Sequence, residues 1–302
     1  MPDPSPAALM AERRRLINLA YRLLGSLSEA EDVVQETYVR WYAMSRERQE
    51  AVESVGGWLT TVATRICLNL LGSARARREQ YVGHWIPEPL PEPTERLDGP
   101  SGATTGDPAD RVTLDESVNM AFLVVLEAMT PAERVAFVLH DVFRYPFAEV
   151  AGIVGRSPAA CRQLASSARR RLRDARPSSG PVPADRAAGI VRDFKRAWEA
   201  KDIGALIGLL DPAVTAVGDG GGRVTALPYP VEGGEQVARF LVGIATRVPG
   251  LTLVERTVNG RPGLLARHAG ATVAVYAFDV ADGRVTHIWG VLNPEKLRQW
   301  TT

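Results

Sequence analysis

The sequence predicts a multidomain chain: two all-α domains, the second containing a helix-turn-helix, followed by an α+β domain. Apolar residues recur at helical spacing over residues 8–82 and again over 111–176. Two linkers, 83–110 and 177–185, interrupt that pattern, and residues 186–302 contain extended apolar runs with a hairpin turn. The 302 residues are enough for two or three domains of ordinary size.

The composition is that of a globular protein. Hydrophobic residues make up 45% and charged residues 24% of the chain, which excludes wholesale disorder and fibrous repeats. No apolar run approaches the ~20 residues that span a bilayer, so we expect a cytoplasmic protein without a membrane partner. The two cysteines, Cys67 and Cys161, are too few for a disulfide framework or a cysteine metal site. We expect no metal and no cofactor.

Three helices are predicted in the first domain. Leu9–Leu24 has helical periodicity and stops at Gly25. Ser28 and Glu31 have the spacing of a capping box, which predicts that the second helix begins there. The third helix covers about Val55–Leu71 and leaves polar residues together on one side. The second helix would have an apolar face of Val33, Val34, Thr37, Tyr38, Trp41 and Tyr42, and a polar face of Asp32, Gln35, Glu36 and Arg40.

The linker 83–110 carries six prolines and six acidic residues against a single arginine, Arg96. Its first part, Trp85–Pro91, differs because an aromatic and two aliphatic residues alternate with prolines. Such a segment can dock in a groove. It can equally be a partly exposed linker, and composition alone leaves the two interpretations open.

The second domain contains the helix-turn-helix. Thr130–Glu133 is a capping box with proline at the first helical position. The short helix Pro146–Val154 is followed by a turn at Gly155, and Ser157 caps the next helix. That helix has an inward stripe of Cys161, Leu164, Ala165, Ala168 and Leu172, whereas Arg162, Gln163, Ser166, Arg169, Arg170 and Arg173 point away.

These outward residues predict contact with the DNA major groove. The alternative is a solvated basic helix in an α-bundle. A second basic segment, Arg65–Arg78, carries four arginines and no acid, and Trp58 and Tyr81 near it could stack on unpaired bases. Aromatic residues at helical spacing are equally explained as core residues.

The last domain combines helices with strands. A helix over about Arg186–Lys201 and a shorter one ending at Leu210 precede three extended segments. These are Leu251–Val258, Thr272–Val280 and Arg284–Leu292, and Asp282-Gly283 joins the last two as a type I′ turn. These segments predict one or two helices packed on a mostly antiparallel sheet.

Two motif sets now show a resemblance to a known family. Ser28–Trp41 and Gly57–Leu71 resemble the second conserved region of bacterial RNA polymerase sigma factors, and Leu126–His140 with the helix-turn-helix resembles the fourth. Only these two regions are present, as in the extracytoplasmic-function group. The resemblance implies that core RNA polymerase and promoter DNA are the partners.

The resemblance also implies roles for individual residues. The polymerase clamp helices would contact Asp32, Gln35, Glu36 and Arg40. The minus-ten element would contact Trp58, Arg65, Asn69, Arg75 and Arg77. The minus-thirty-five element would contact Arg156, Ser157, Arg162, Gln163, Ser166, Arg169, Arg170 and Arg173. The 28-residue linker is long enough, since it reaches at most ~90 Å and two turns of DNA measure ~70 Å.

The C-terminal domain resembles the SnoaL-like, ketosteroid-isomerase-like cone fold. Three segments, Trp85–Leu90, Asp219–Arg223 and Asn293–Leu297, resemble the sigma subgroup with a fused SnoaL-like domain that tunes activity. The predicted regulatory contact therefore comprises Trp85, Pro87, Glu88, Pro89, Leu90, Asp219, Gly220, Gly221, Gly222, Arg223, Asn293 and Pro294.

We expect a sigma factor that binds core polymerase, acts without catalysis and is monomeric when free. The candidate acids and bases are Asp219, His268, Asp279 and His287. The sequence does not pair any two of them as a catalytic acid and base, so no catalytic residue is assigned. Two alternatives stay open: an isomerase- or cyclase-like enzyme, and a ligand-sensing DNA-binding regulator. Whether a small ligand binds in a pocket of the C-terminal domain is a further open question.

Overall fold

The computed structural model describes residues 6–79, 81, 83–91, 118–175 and 182–300. The chain divides into two compact units. The helical unit contains residues up to 79 and residues 123–175 within the described part, and the sheet unit contains Tyr81, 83–91, 118–122 and 182–300. Each unit is described by itself below.

The described residues before 175 contain eight α-helices. Their N-terminal caps explain several of the boundaries. The second helix begins one residue before the predicted Ser28, because Ser26 is its cap and accepts a hydrogen bond from the Glu29 amide. The predicted capping box at Ser28 is therefore wrong. The helices are α1 Pro6–Leu24, α2 Leu27–Tyr42, α3 Arg46–Glu50, α4 Val55–Glu79, α5 Met120–Glu127, α6 Pro131–Phe137, α7 Phe147–Val154 and α8 Pro158–Asp174.

The predicted local signals of the helix-turn-helix are confirmed. Thr130 and Glu133 form a reciprocal capping box at the start of α6. A π-helical turn, Val138–Val142, leads out of α6. Gly155 ends α7 in the left-handed conformation at φ 70°, which a glycine adopts without steric cost. Ser157 then caps α8 by accepting from the Ala160 amide.

The sheet unit contains one six-stranded sheet in the order β2-β1-β6-β5-β4-β3. Strand β1 pairs with β6 in parallel, and every other pair is antiparallel. The mostly antiparallel prediction is confirmed, but strands β1, β2 and β4 and the helix α11 were not predicted. The elements are α9 Ala184–Glu199, α10 Ile203–Leu209, β1 Leu210–Asp219, β2 Val231–Glu232, α11 Gly234–Arg247, β3 Thr252–Val258, β4 Arg261–His268, β5 Ala271–Ala281 and β6 Arg284–Val291, followed by a 3₁₀ turn Arg298–Trp300.

Two-residue turns with positive φ join the antiparallel strands. Asp282-Gly283 has φ values of 50° and 78°, which confirms the predicted type I′ turn. Asn259-Gly260 joins β3 to β4 with φ values of 50° and 71°. Asn-Gly is a strong hairpin signal in the sequence, so the β3–β4 hairpin was predictable from it.

The two faces of the sheet are covered differently. One face packs on α9, α10 and α11 through an apolar core that includes Phe194, Trp198 and Tyr276. Strand residues that alternate with the core residues point to the second face, where Val275 and Trp289 are also buried. A segment from the linker is hydrogen-bonded to Asp219 at the end of β1 and to Asn259 in the turn between β3 and β4.

Candidate functional site

A buried carboxylate, Asp219, holds part of the linker on the sheet unit. Its side chain is fully buried at the end of β1. Oδ1 accepts hydrogen bonds from the Tyr81 hydroxyl at 2.6 Å and the Gly221 amide at 3.0 Å. Oδ2 accepts from the Ile86 amide at 3.0 Å and from Lys296 Nζ at 2.7 Å. Each oxygen thus has two donors. Of the four donors, the Ile86 amide belongs to the linker and the Tyr81 hydroxyl lies just before it.

Lys296 is the counter-charge of this site. It is 8% exposed, and its ammonium also donates to the Ile86 carbonyl. The ammonium lies 4.1 Å from the centre of the Trp85 ring and 5.4 Å from that of Tyr81, so both rings make cation–π contacts. Burial, reinforced by the neighbouring Asp219 carboxylate, raises the pKa of Tyr81. The Tyr81 hydroxyl therefore stays protonated and donates.

The glycines after Asp219 make room for Asn293. Gly221 has φ +63°, and a Cβ there would overlap the Asn293 amide. Asn293 Nδ2 donates to the Tyr81 hydroxyl at 3.0 Å, and its backbone amide donates to the Asp219 carbonyl at 3.0 Å. A Cβ at Gly220 would overlap the Val224 carbonyl. The glycine turn therefore brings Asn293 to the tyrosine that follows α4 in the chain.

The other end of the linker segment is held through its backbone. Trp300 Nε1 donates to the Pro89 carbonyl at 2.9 Å. Leu90 donates to Asn259 Oδ1 at 3.1 Å and accepts from the Asn259 amide at 2.9 Å. Pro91 forms a bridge with Val258. We call Tyr81 and residues 83–91 the docked segment, and its contacts run from the end of β1 to the β3–β4 turn.

The structure thus brings together most of the predicted regulatory residues, and it adds Tyr81, Asn259, Lys296 and Trp300. Four of the five buried polar or charged residues among the described residues of the sheet unit belong to this cluster, and the fifth, Glu88, lies in the docked segment. Pro87, Glu88 and Pro89 are buried in the docked segment. Gly222 has φ 70°, Pro294 accepts from the Leu297 amide at 3.3 Å, and Arg223 forms an exposed ion pair with Glu295 at 2.6 Å. We call the cluster of Asp219, Lys296, Tyr81, Asn293 and Asn259 the clamp.

Helix α8, the second helix of the helix-turn-helix, exposes most of its predicted DNA-contact residues. Cys161, Ala165 and Ala168 are buried against the rest of the helical unit. Arg156, Arg162, Gln163, Ser166, Arg170 and Arg173 are exposed. The face assignment agrees with the helical period, and DNA contact stays a prediction.

Three of the predicted minus-thirty-five residues already have partners in the helical unit. Arg169 is only partly exposed, and its guanidinium makes hydrogen bonds of 2.7 and 3.1 Å to Asp141. The Arg162 guanidinium lies 5.3 Å above the Phe147 ring. Ser157 is the cap of α8. The sequence placed Arg169 on the outward face but did not show that Asp141, on the π-helical turn, would reach it.

The predicted minus-ten residues on α4 differ in exposure. Arg65 and Asn69 are exposed, and Arg65 donates to the Gly152 carbonyl at 2.9 Å. Trp58 is half-buried with its edge on Trp41, 5.2 Å between ring centres. The side chains of Arg75 and Arg77 lie outside the described residues.

The predicted polymerase face of α2 is exposed, and it carries an apolar side chain beside its charged ones. Arg40 pairs with Glu36 at 2.8 Å, and Asp32 and Gln35 are exposed beside them. Val39 is 56% exposed on the same side, which periodicity alone did not identify as a functional residue. Tyr42 is 64% exposed. Its predicted place on the buried face is therefore wrong, because Tyr42 is the last residue of α2 and its ring stacks on Tyr38, with ring centres 6.4 Å apart, on a surface that stays exposed.

The candidate acids and bases of an enzyme do not come together. Asp219 belongs to the clamp. His287 stacks on Trp289, with ring centres 5.5 Å apart, and Asp279 accepts from the adjacent Val280 amide. His268 ends β4, and the core between the sheet and its helices is apolar. An open cleft of about 510 Å³ lies instead between α9 and α10, so the predicted ligand pocket stays a prediction.

The described residues contain no metal-binding cluster and no membrane-spanning helix. No group of three or more histidine, cysteine, aspartate or glutamate residues could hold a metal ion there. No helix in the same residues has the length and apolar composition that crossing a bilayer requires.

Two protein-family models match the chain over the residues of the helical unit. Residues 9–77 match the family model described as Sigma-70 region 2, and residues 119–172 match Sigma-70, region 4. The ECF RNA polymerase sigma factor SigJ of Mycobacterium tuberculosis is 39% identical over 300 residues, which cover 95% of this chain and 91% of SigJ. A probable ECF RNA polymerase sigma factor of that organism, SigI, is 35% identical over 297 residues, 98% of this chain and 95% of SigI.

The similarity extends through the sheet unit. The crystal structure of Mycobacterium tuberculosis SigJ superposes with a TM-score of 0.75 and 34% identity, covering 96% of this chain and 97% of that one. A SnoaL-like protein of unknown function from Burkholderia thailandensis aligns with 37% of this chain at 20% identity and a TM-score of 0.31. The chain belongs to the ECF RNA polymerase sigma factors, and an α+β domain follows its two sigma regions.

Proposed function

We propose that this sigma factor directs core RNA polymerase to promoters and that its SnoaL-like domain modulates initiation by holding the linker between the two sigma regions. It acts by binding, on the cytoplasmic polymerase. The exposed faces of α2, α4 and α8 support the contacts with polymerase, the minus-ten element and the minus-thirty-five element. The clamp supports the proposal that the C-terminal domain modulates initiation by holding the linker.

The clamp restricts the linker because it removes a third of its free length. Residues 83–110 are 28 in number and reach at most ~90 Å. Docking fixes the span and direction of 83–91, which leaves the 19 residues 92–110, with a reach of at most ~63 Å, to adapt to the promoter. Because the two promoter elements lie two turns of DNA apart, ~70 Å, docking limits the arrangements of the sigma regions that can span them.

The chemistry of the clamp makes docking reversible. Its contacts to the segment are hydrogen bonds, a buried ion pair and cation–π contacts, and each polar group can be rehydrated after undocking. The isomerase alternative is not favoured, because Asp219, the one fully buried carboxylate in the described part of the sheet unit, is saturated with four donors.

Transcription in vitro tests the proposal. Full-length protein and core polymerase would be assayed on one promoter whose spacer is varied by single base pairs. We expect the wild type to have a narrow optimum and Tyr81→Phe, which removes the hydroxyl shared by Asp219 and Asn293, to broaden it. Glu235→Gln breaks an exposed ion pair on α11 and is the matched control.

The outcomes separate the two halves of the proposal. If the wild type gives no promoter-specific transcript, the sigma assignment of these surfaces is wrong. If Tyr81→Phe and Asp219→Asn both keep the wild-type spacer profile at full activity, the clamp does not restrict the linker, and the modulatory half is rejected.

A further inference from the structure

We propose that Phe147, the first residue of α7, sets base preference at the minus-thirty-five element by holding the Arg162 guanidinium in place, and that His140 of the π-helical turn holds Phe147. The inference rests on the proposed DNA surface of α8. Neither Phe147 nor His140 is among the predicted DNA-contact residues. Phe147 is a positioning residue, because it acts on the promoter only through Arg162.

Arg162 lies where a residue that reads bases is expected. It is the fifth residue of α8, which begins at Pro158, and it is exposed. The N-terminal residues of the second helix in a helix-turn-helix contact base edges in the major groove. An arginine that recognises guanine donates two parallel hydrogen bonds, to O6 and N7, so the plane of its guanidinium has to match the plane of the base.

The ring of Phe147 restricts where this guanidinium lies. Arg162 Cζ is 5.3 Å from the ring centre, which is within the range of a cation–π contact. An arginine side chain has many rotamers, and ordering them on binding costs affinity. A guanidinium already held on the ring loses less freedom when it meets a base. Only the preferred base pair uses the ordered guanidinium, so this saving increases the preference for that pair.

His140 contacts the same ring. The ring centres of His140 and Phe147 are 3.7 Å apart, and their planes are inclined by 24°, which is a stacked arrangement. His140 Nδ1 lies 2.8 Å from the Tyr145 carbonyl. Because a carbonyl only accepts, Nδ1 carries the proton and donates. This hydrogen bond orients the imidazole, and the stacking then limits rotation of the Phe147 side chain.

The π-helical turn is attached to α8 at a second point. Asp141, the neighbour of His140, accepts hydrogen bonds of 2.7 and 3.1 Å from Arg169. Arg162 and Arg169 are seven positions apart, which is about two helical turns, so they lie on the same side of α8. Asp141 contacts that side directly, and His140 contacts it through Phe147. The two attachments fix the turn relative to the face of α8 that we expect DNA to contact.

Competitive DNA binding by the holoenzyme, formed from full-length protein and core polymerase, tests the inference. Every single base-pair change in the minus-thirty-five element would be compared, which gives the base preference at each position. Phe147→Leu keeps an apolar side chain and removes the ring, and Phe147 is only half-buried, so we expect this variant to fold. It should reduce preference about three- to tenfold, at the one base pair that Arg162→Ala also affects.

A double mutant separates positioning from a general effect on the fold. In Arg162→Ala the ring has no guanidinium to hold, so adding Phe147→Leu should change the preference no further. Phe147→Tyr keeps the ring face and should keep the wild-type preference. Glu149→Gln alters an exposed charge on the same helix and is the matched control, which should change affinity equally at all sequences.

The outcomes distinguish this inference from the proposed function. Wild-type preference in Phe147→Leu, with relaxed preference in Arg162→Ala, would overturn the inference and leave the proposed function intact. Equal loss of preference at every base pair, or a further loss when Phe147→Leu is added to Arg162→Ala, would overturn it as well, because either indicates damage to the domain. Wild-type preference in Arg162→Ala would overturn both the inference and the proposed contact of α8 with the promoter.

Discussion

Replacing Asp219 by asparagine keeps the size of the side chain and removes the charge opposite Lys296. The two groups are 2.7 Å apart, and Lys296 is 8% exposed. Removing one partner of a buried ion pair costs about 3–5 kcal/mol, because the other charge stays buried. We expect the lower end, ~3 kcal/mol, since Lys296 keeps the Ile86 carbonyl and the Trp85 ring.

This cost should appear as undocking of the segment and not as unfolding of the sheet. Undocking by itself lets Lys296 reach water, whereas the apolar core against α9, α10 and α11 contains no group of the clamp. A free-energy change of ~3 kcal/mol shifts the ratio of docked to undocked molecules about 100-fold. The exchange of amide hydrogens in the segment should accelerate by up to that factor.

Hydrogen exchange read by mass spectrometry measures the effect. The peptide with the Ile86 and Leu90 amides, which are bonded to Asp219 and Asn259, should lose protection, and the β5 peptide around Val275 should keep it. Asp219→Asn with Lys296→Met should recover most of the protection, because no charge is then left unpaired. Wild-type exchange of the segment in Asp219→Asn, or equal acceleration in both peptides, would refute the reasoning.

Three further predictions concern pH, DNA and polymerase. Because burial beside Asp219 raises the pKa of Tyr81 above its ordinary value, docking should be intact below about pH 10 and weaken above it, with Tyr81→Phe losing that dependence in the exchange assay. Arg170→Ala should flatten the salt dependence of DNA binding by about one unit of slope at all sequences, whereas Arg162→Ala should relax preference at one base pair; the reverse would contradict the face assignment. Val39→Asp should weaken binding to core polymerase without lowering the melting temperature, since Val39 is 56% exposed; an equal loss in both would place it in the fold instead.

The features that could be predicted from the sequence are those with local causes. The capping box at Thr130, the left-handed Gly155 and the Asp282-Gly283 turn each depend on residues within a few positions of one another. The start of α2 shows the limit of such signals. Ser26 and Ser28 both precede acidic residues, and Ser26 is the cap because a helix starting at Leu27 buries that side chain.

The clamp could be predicted only in part, because its partners are far apart in the chain. The resemblance to the sigma subgroup placed Trp85, the glycine turn and Asn293 in one regulatory contact but did not say which of them touch. The residue that a Cβ at Gly221 would meet is Asn293, whereas Trp85 lies over Lys296. Tyr81 and Asp219 are separated by 138 positions, and no local pattern assigns a hydrogen bond over that distance.

The prolines of the docked segment explain why it binds in one register. Residues 87, 89 and 91 are prolines and have no backbone N–H to donate. The two donors that the clamp uses, Ile86 and Leu90, lie four positions apart and meet Asp219 and Asn259. A shift of one residue in one direction would bring Pro87 and Pro91 to those acceptors and leave both without a donor. A shift of two would bring Glu88 to one of the two acceptors, and at Asp219 two carboxylates would meet in a buried site. Apolar burial of Ile86 and Leu90 supplies affinity in any register, so the buried polar groups of the clamp supply the specificity of docking.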